Sequence, residues 1–244
     1  MLVRSELIQR GSEWQDGSSP SGLFTTVSAL NTAYKALTRD LPLAAAGSWS
    51  AAVSFTSGDR PVTTPILVKF AAGEVGRWRI DGIARVSGEA LPAAERLAVH
   101  EGVDSSVPAG AVWLLQGVTS NARYVTRAEH VALAARQPPL GRPEATRAAL
   151  IPIRKSDTWW DLSQDERRAI LEDRSNHISR GLEYLPAVAR RLHHGRDLGE
   201  PFDFLTWFEY APKDAPAFEG LVACLRETEE WSYVDREVDV RLSR

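Results

Sequence analysis

The order in which hydrophobic periodicity switches across residues 147–242 limits the possible folds of this chain more than any other feature. Residues 147–154, with Leu150, Ile151 and Ile153, have the apolar density of a strand. Residues 163–173 read as a helix. Ser163 is its cap, Asp165 and Glu166 occupy its first turn, and Ile170 and Leu171 form its apolar face. A second helix spans 176–185, with Ile178, Leu182 and Leu185 at helical spacing, and Pro186 ends it. Residues 187–194 return to an extended pattern. After a turn at 195–201, Phe202, Phe204, Thr206 and Phe208 alternate along a strand at 202–210. A helix at 212–226 carries Phe218, Leu221, Val222 and Leu225 on one stripe, and 232–242 alternate again as a last strand. The order is β-α-β-β-α-β, the ferredoxin-like unit, an antiparallel sheet with its helices on one face.

The first half is less regular. Strands are expected at 48–55, 64–70, 76–86 and 111–118. The stretch 27–38 fits either a helix or a strand, and a short helix fits 92–99 within an otherwise loop-rich 87–110. Thr126 with Glu129 forms a capping-box pattern that opens a helix over 126–136. Residues 11–22 are polar and turn-rich, and the prolines of 137–143 mark a link. The expected organisation is therefore a flexible arm at 1–22, a ferredoxin-like lobe at 23–140 and a second ferredoxin-like lobe at 141–244. The overall class is α+β, with both sheets closing into one α+β barrel.

Composition excludes several functions. A net charge of −3 provides no basic footprint for nucleic acid. One cysteine, Cys224, allows neither an internal disulfide nor a cysteine-built metal site; beside Val222 and Leu225 it reads as a core residue. The first ten residues have no signal-peptide run, and no stretch has the apolar length of a membrane span, so a soluble cytoplasmic protein is the default expectation. Eight tryptophans suit a core and equally suit the walls of a site for a flat ligand.

Of the five histidines, His100 and His130 read as surface residues, and the adjacent His193 and His194 as solvent-facing or rim residues on opposite faces of a strand. His177 is different, because it opens an apolar helix face with Gly181 one turn on. It is either a metal ligand or a buried or capping histidine. Arg190 follows thirteen positions later and shares a strand face with Val188 and Leu192. If it faces inward it must be paired or bind an anion; at an edge it would lie in water. Lys155 precedes the pair Trp159 and Trp160. An ammonium and two indoles there could hold a flat, carboxylate-bearing ligand, or the tryptophans could simply pack.

From Ile151-Pro-Ile-Arg-Lys155 through Trp159-Trp160, then His177 to Arg190 and Phe202 to Tyr210, the chain resembles the chlorite dismutase family of haem proteins, within the dimeric α+β barrel superfamily, and looks like its longer, oxygen-evolving type. The resemblance covers about residues 110–244. It implies haem b as cofactor, His177 as the proximal iron ligand and Arg190 as the distal arginine. It also places Lys155, Trp159 and Trp160 beside the haem and its propionates. Glu230 would accept a hydrogen bond from the imidazole, with Glu227 and Glu229 as close neighbours in an otherwise solvated acidic helix end. Asn121 and Tyr124 would line the haem edge. Where the related decarboxylase branch carries glutamine or histidine at the distal position, this chain has Arg190; where its glutamine-bearing members carry a tyrosine, this chain has Ile151. The segment from Trp160 to His177 is longer than the family pattern.

The activity implied is conversion of chlorite to chloride and dioxygen, with Arg190 attracting the anion and holding the hypochlorite fragment. A homo-oligomer, a pentamer for the longer type, is implied too, with neither nucleic acid nor membrane as partner. Two alternatives stay open: a haem-binding protein with a peroxidase-like, haem-handling or sensing role and no chlorite turnover, and a haem-free α+β protein whose tryptophans only pack.

Overall fold

The computed structural model describes residues 65–103, 105–119 and 124–244. The expected arm at 1–22 and the elements expected at 27–38 and 48–55 lie outside the described residues. Eight strands form a closed antiparallel barrel: β1 (Leu67–Gly73), β2 (Trp78–Ser87), β3 (Arg96–Glu101), β4 (Trp113–Thr119), β5 (Arg147–Lys155), β6 (Ala189–His194), β7 (Phe204–Tyr210) and β8 (Val234–Ser243). Around the barrel they run β1-β3-β2-β8-β5-β7-β6-β4. Read from β4, the first four strands have the spatial order 4-1-3-2, and β8-β5-β7-β6 repeats that order. Each half is thus a ferredoxin-like sheet, although in the first half no helix separates the strands.

The inside of the barrel is filled by Phe70, Trp78, Leu97, Leu115, Leu150, Leu205, Trp207 and Leu242, drawn from both halves. Closure depends on β4 meeting β6, where Val118 pairs with His194 and Thr119 with His193. A Cβ on Gly117 would come within 2.7 Å of the His193 Cβ, so glycine is what allows β4 to approach this closely.

Closure overturns the expectation for two histidines. His193 is 2% exposed inside the barrel, where its Nδ1 pairs with the Leu205 carbonyl at 3.0 Å and burial pushes its pKa down to about 4. His194 is also buried, edge-on to Phe204 on the other face. The residues expected as a helix at 92–99 instead enter β3, held by a six-residue pairing with β1. His100 is therefore a half-buried strand residue, while His130 is exposed as expected. Phe202 precedes β7 and packs inside the barrel, so the alternation begins only at Phe204.

The outer face of the second sheet is covered by helices. α1 (Arg127–Arg136) opens on the expected capping box: the Thr126 N–H donates to Glu129 at 2.7 Å and Thr126 Oγ1 accepts from the Glu129 N–H. α2 (Asp157–Asp161) follows β5, capped by Ser156. The helix expected at 163–173 is split. α3 (Gln164–Arg168) is α-helical, with Glu166 accepting from the Ser163 N–H at 2.8 Å, and Ala169–Arg174 then widens into a π-helix. A π-helix takes one more residue per turn than the α-helix that precedes it.

α4 (His177–Glu183) starts after Asn176, which adopts the left-handed conformation that asparagine tolerates. α5 (Ala215–Arg226) lays Phe218, Leu221, Val222 and Leu225 on Ala149, Ile151, Ile153 and Phe208. Arg226 ties it to β8 through Glu237 and Asp239. Cys224 is half-buried rather than core, and its Sγ lies 3.0 Å from Arg180 Nη1.

Candidate functional site

The outer face of β5, β7 and β6, together with α2 and α4, gathers most of the candidate residues. Glu172 sets α4 in place by accepting from the N–H groups of Ile178 (2.7 Å) and Ser179 (3.2 Å), which fills the orphan donors of the first turn. His177 opens that turn with 27% of its side chain exposed. Its Nδ1 lies 2.6 Å from Glu230 Oε2, and in its neutral form a ring held in this way by a carboxylate carries its proton on Nδ1 and presents a bare Nε2.

Glu230 is 3% exposed. Its second oxygen accepts from Lys155 Nζ at 2.9 Å, and Lys155 also donates to the Glu230 carbonyl at 3.0 Å. The Ser175 hydroxyl accepts from the Glu230 N–H at 3.0 Å. Burial alone would raise the Glu230 pKa, but the charges and hydrogen bonds of His177 and Lys155 outweigh it and hold the group at about 2. Burial draws Lys155 below the usual lysine range, with Glu230 pulling the other way. Glu227 and Glu229 are both exposed, so Glu230 alone of the three is placed as a partner for the ring.

Lys155 is 3% exposed, and its ammonium is engaged by Glu230. It lies 4.6 Å from the centre of the Trp159 ring, which is itself fully buried and edge-on to Tyr124 at 6.5 Å. Trp159 Nε1 is buried without a hydrogen-bond partner among the described residues. Trp160 donates to Asp203 at 3.2 Å, stacks on Phe204 and carries the Arg196 guanidinium over its ring at 3.9 Å. The Tyr124 hydroxyl accepts from Arg167 at 3.1 Å. Asn121 lies outside the described residues.

Arg190 stands on β6 opposite Phe208, on the face turned to the helices. Among the described residues no carboxylate and no hydrogen-bond acceptor engages it. Burial lowers its pKa to about 10, which leaves it cationic at neutral pH. Its guanidinium rests on the bare Cα of Gly181: a Cβ built there would fall 2.2 Å from Nη1. Gly181 lies one turn beyond His177, on the same helix face. The arginine, thirteen positions after the histidine in sequence, thus rests on the face of the short helix that carries the histidine.

Among the described residues no three His, Cys, Asp or Glu side chains converge as a site for a bare ion. His177 is a single-residue ligand, and a single imidazole suits a metal that arrives with its remaining ligands, as porphyrin iron does. The residues fit that group: one braced imidazole, one half-buried cation without a counter-anion among the described residues, an unsatisfied indole donor and a helix face without a side chain at Gly181. Sequence reasoning missed the contact of Gly181 with Arg190, although the spacing of Gly181 from His177 had already singled it out. No helix among the described residues is long and apolar enough to cross a membrane.

The sequence model of the chlorite dismutase family matches residues 105–244. A crystal structure of dimeric chlorite dismutases from Nitrobacter winogradskyi is 59% identical, with a TM-score of 0.69, and covers 72% of this chain and 99% of that one. A chlorite dismutase from Ideonella dechloratans is 34% identical over 86 residues, 35% of this chain. The chain spans only about a quarter (28%) of that relative's length.

Proposed function

Because the chain belongs to the chlorite dismutase family, we propose that it binds haem b through His177 and converts chlorite to chloride and dioxygen with the help of Arg190. The observation that carries this reading is a contrast in charge pairing. His177 is braced by a buried, ionised Glu230, while Arg190 is a half-buried cation with no counter-anion among the described residues. A guanidinium held in that state favours an anionic ligand.

Haem, when bound, supplies the redox chemistry at iron that breaks and forms bonds to oxygen. The protein's own residues do the rest. Glu230 holds the Nδ1 proton, fixes the tautomer and makes Nε2 a stronger donor. Lys155 keeps Glu230 ionised. Arg190 draws chlorite in and holds chlorine oxyanions near the iron through charge-assisted hydrogen bonds, staying protonated at any working pH. Trp159, Trp160 and Tyr124 form an aromatic wall that keeps water out, and Asn121 is assigned to the haem edge by family resemblance. Arg190, which lies over Gly181, would have to swing aside for a bound haem to use that face of α4. The assembly proposed is a homodimer in place of the pentamer, on the strength of the dimeric Nitrobacter winogradskyi relatives.

The test is a haem titration followed by an oxygen electrode. A Soret band that grows to one haem per chain, and dioxygen release on adding chlorite, are the expected results. A Soret band without dioxygen would leave haem binding standing and overturn the turnover.

A further inference from the structure

Away from the helix-covered face, four neighbouring strands bring a row of arginines into register. Arg96 of β3 pairs with Arg79 of β2, Arg79 with Ser243 of β8, and Ser243 with Arg147 of β5. Residues in register share a face, so three guanidinium groups and a hydroxyl line one side of the barrel wall. Arg77 and Arg244 join them around a cavity of about 490 Å³.

One carboxylate serves this group. Asp81 pairs with Arg79 at 2.7 Å and with Arg147 at 3.2 Å, and accepts from the Ser243 hydroxyl at 2.9 Å. Arg96 is oriented by the Gly76 carbonyl (3.1 Å) and Arg244 by the carbonyls of Ala145 (3.2 Å) and Arg142 (2.7 Å). Arg244 Nη1 is buried with no partner among the described residues, and Arg77 makes no hydrogen bond or ion pair among them. Like charges placed opposite each other across strands destabilise a sheet. Four of the five arginines are exposed and the fifth is half-buried, so together they present a concentrated, solvent-accessible positive surface that attracts polyvalent anions.

We infer that this cavity is a second anion site, separate from the one at Arg190, and that it takes a diphosphate group. Guanidinium forks match phosphate oxygens two by two, and several forks held by backbone carbonyls favour a polyvalent anion over chloride.

The experiment is calorimetric titration of the full chain with inorganic pyrophosphate and with ADP, at an ionic strength fixed with sodium chloride. Saturable binding of one pyrophosphate per chain is expected. It should weaken at least about tenfold in Arg77→Gln/Arg96→Gln, whose only internal contact among the described residues is the bond to Gly76, and persist in Arg190→Ala. Equal affinity for the two ligands identifies free diphosphate as the occupant. Tighter ADP binding identifies a diphosphate carried on a nucleoside as the occupant. Lack of saturable heat with either ligand overturns the site, as does binding that survives the double substitution or disappears with Arg190.

Discussion

His177 and Arg190 meet at one face of the same helix, and their surroundings could hardly differ more. On the histidine side, charge is closed into a chain, Lys155 to Glu230 to His177, at 2.9 and 2.6 Å, with Lys155 and Glu230 almost wholly out of water and the ring partly exposed. On the arginine side, one guanidinium rests on a glycine with no acceptor among the described residues. A satisfied network fixes geometry, as a metal ligand requires. A half-buried cation without a counter-anion keeps its binding capacity for an anionic ligand. The contrast separates a part of the protein that holds from a part that receives.

The strongest way to break the contrast is at the ring itself. His177→Ala should abolish the Soret band in a haem titration while the far-ultraviolet circular dichroism stays that of the parent. An unchanged Soret band would remove the histidine from its role. Next come the two charges. Glu230→Ala leaves Lys155 buried and unpaired, and should cost on the order of 3–5 kcal/mol in denaturant unfolding. Arg190→Ala removes a cation with no partner to abandon, and should stay within about 1 kcal/mol of the parent. Equal losses would mean that the two sides are paired alike.

A finer probe lies between them. Gly181→Ala should leave the haem-free protein as stable or more stable, by up to about 1 kcal/mol of helix propensity, because the Arg190 tip can give way. Haem affinity should fall, by roughly tenfold, since the added methyl occupies the His177 face of α4. The smallest effect concerns Glu129, whose pKa its Arg168 partner holds at about 2 against an ordinary 4.5. A lowered carboxylate pKa contributes stability that is fully present above the unfolded value and lost as pH falls through the folded one. The melting-temperature gap between the parent and Glu129→Gln should therefore be constant above pH 4.5 and close towards pH 2.

How much of this was legible in the sequence follows from how local each signal is. The second half declared its strands and helices because hydrophobic period is a short-range property, and Thr126 with Glu129 announced a cap three residues wide. β3 did not, because Leu97 to His100 fits either period and only pairing with β1 decides. His193 and His194 looked exposed because β6 is an edge strand until β4 closes the barrel on it. Lys155 was visible as a charge, but its partner lies 75 residues away. The arginine row depends on register across four strands that are not consecutive in the chain, which no window on the sequence contains.

The central claim is that the unpaired guanidinium exists to meet an oxyanion beside a histidine-bound haem. The direct measurement is dioxygen yield per chlorite, with hypochlorite trapped in parallel, for the haem-loaded parent and Arg190→Ala. The account predicts stoichiometric dioxygen from the parent. From the variant it predicts turnover lower by on the order of a hundredfold and more trapped hypochlorite, with the Soret band intact. Full dioxygen yield at the parent's rate from Arg190→Ala would contradict it.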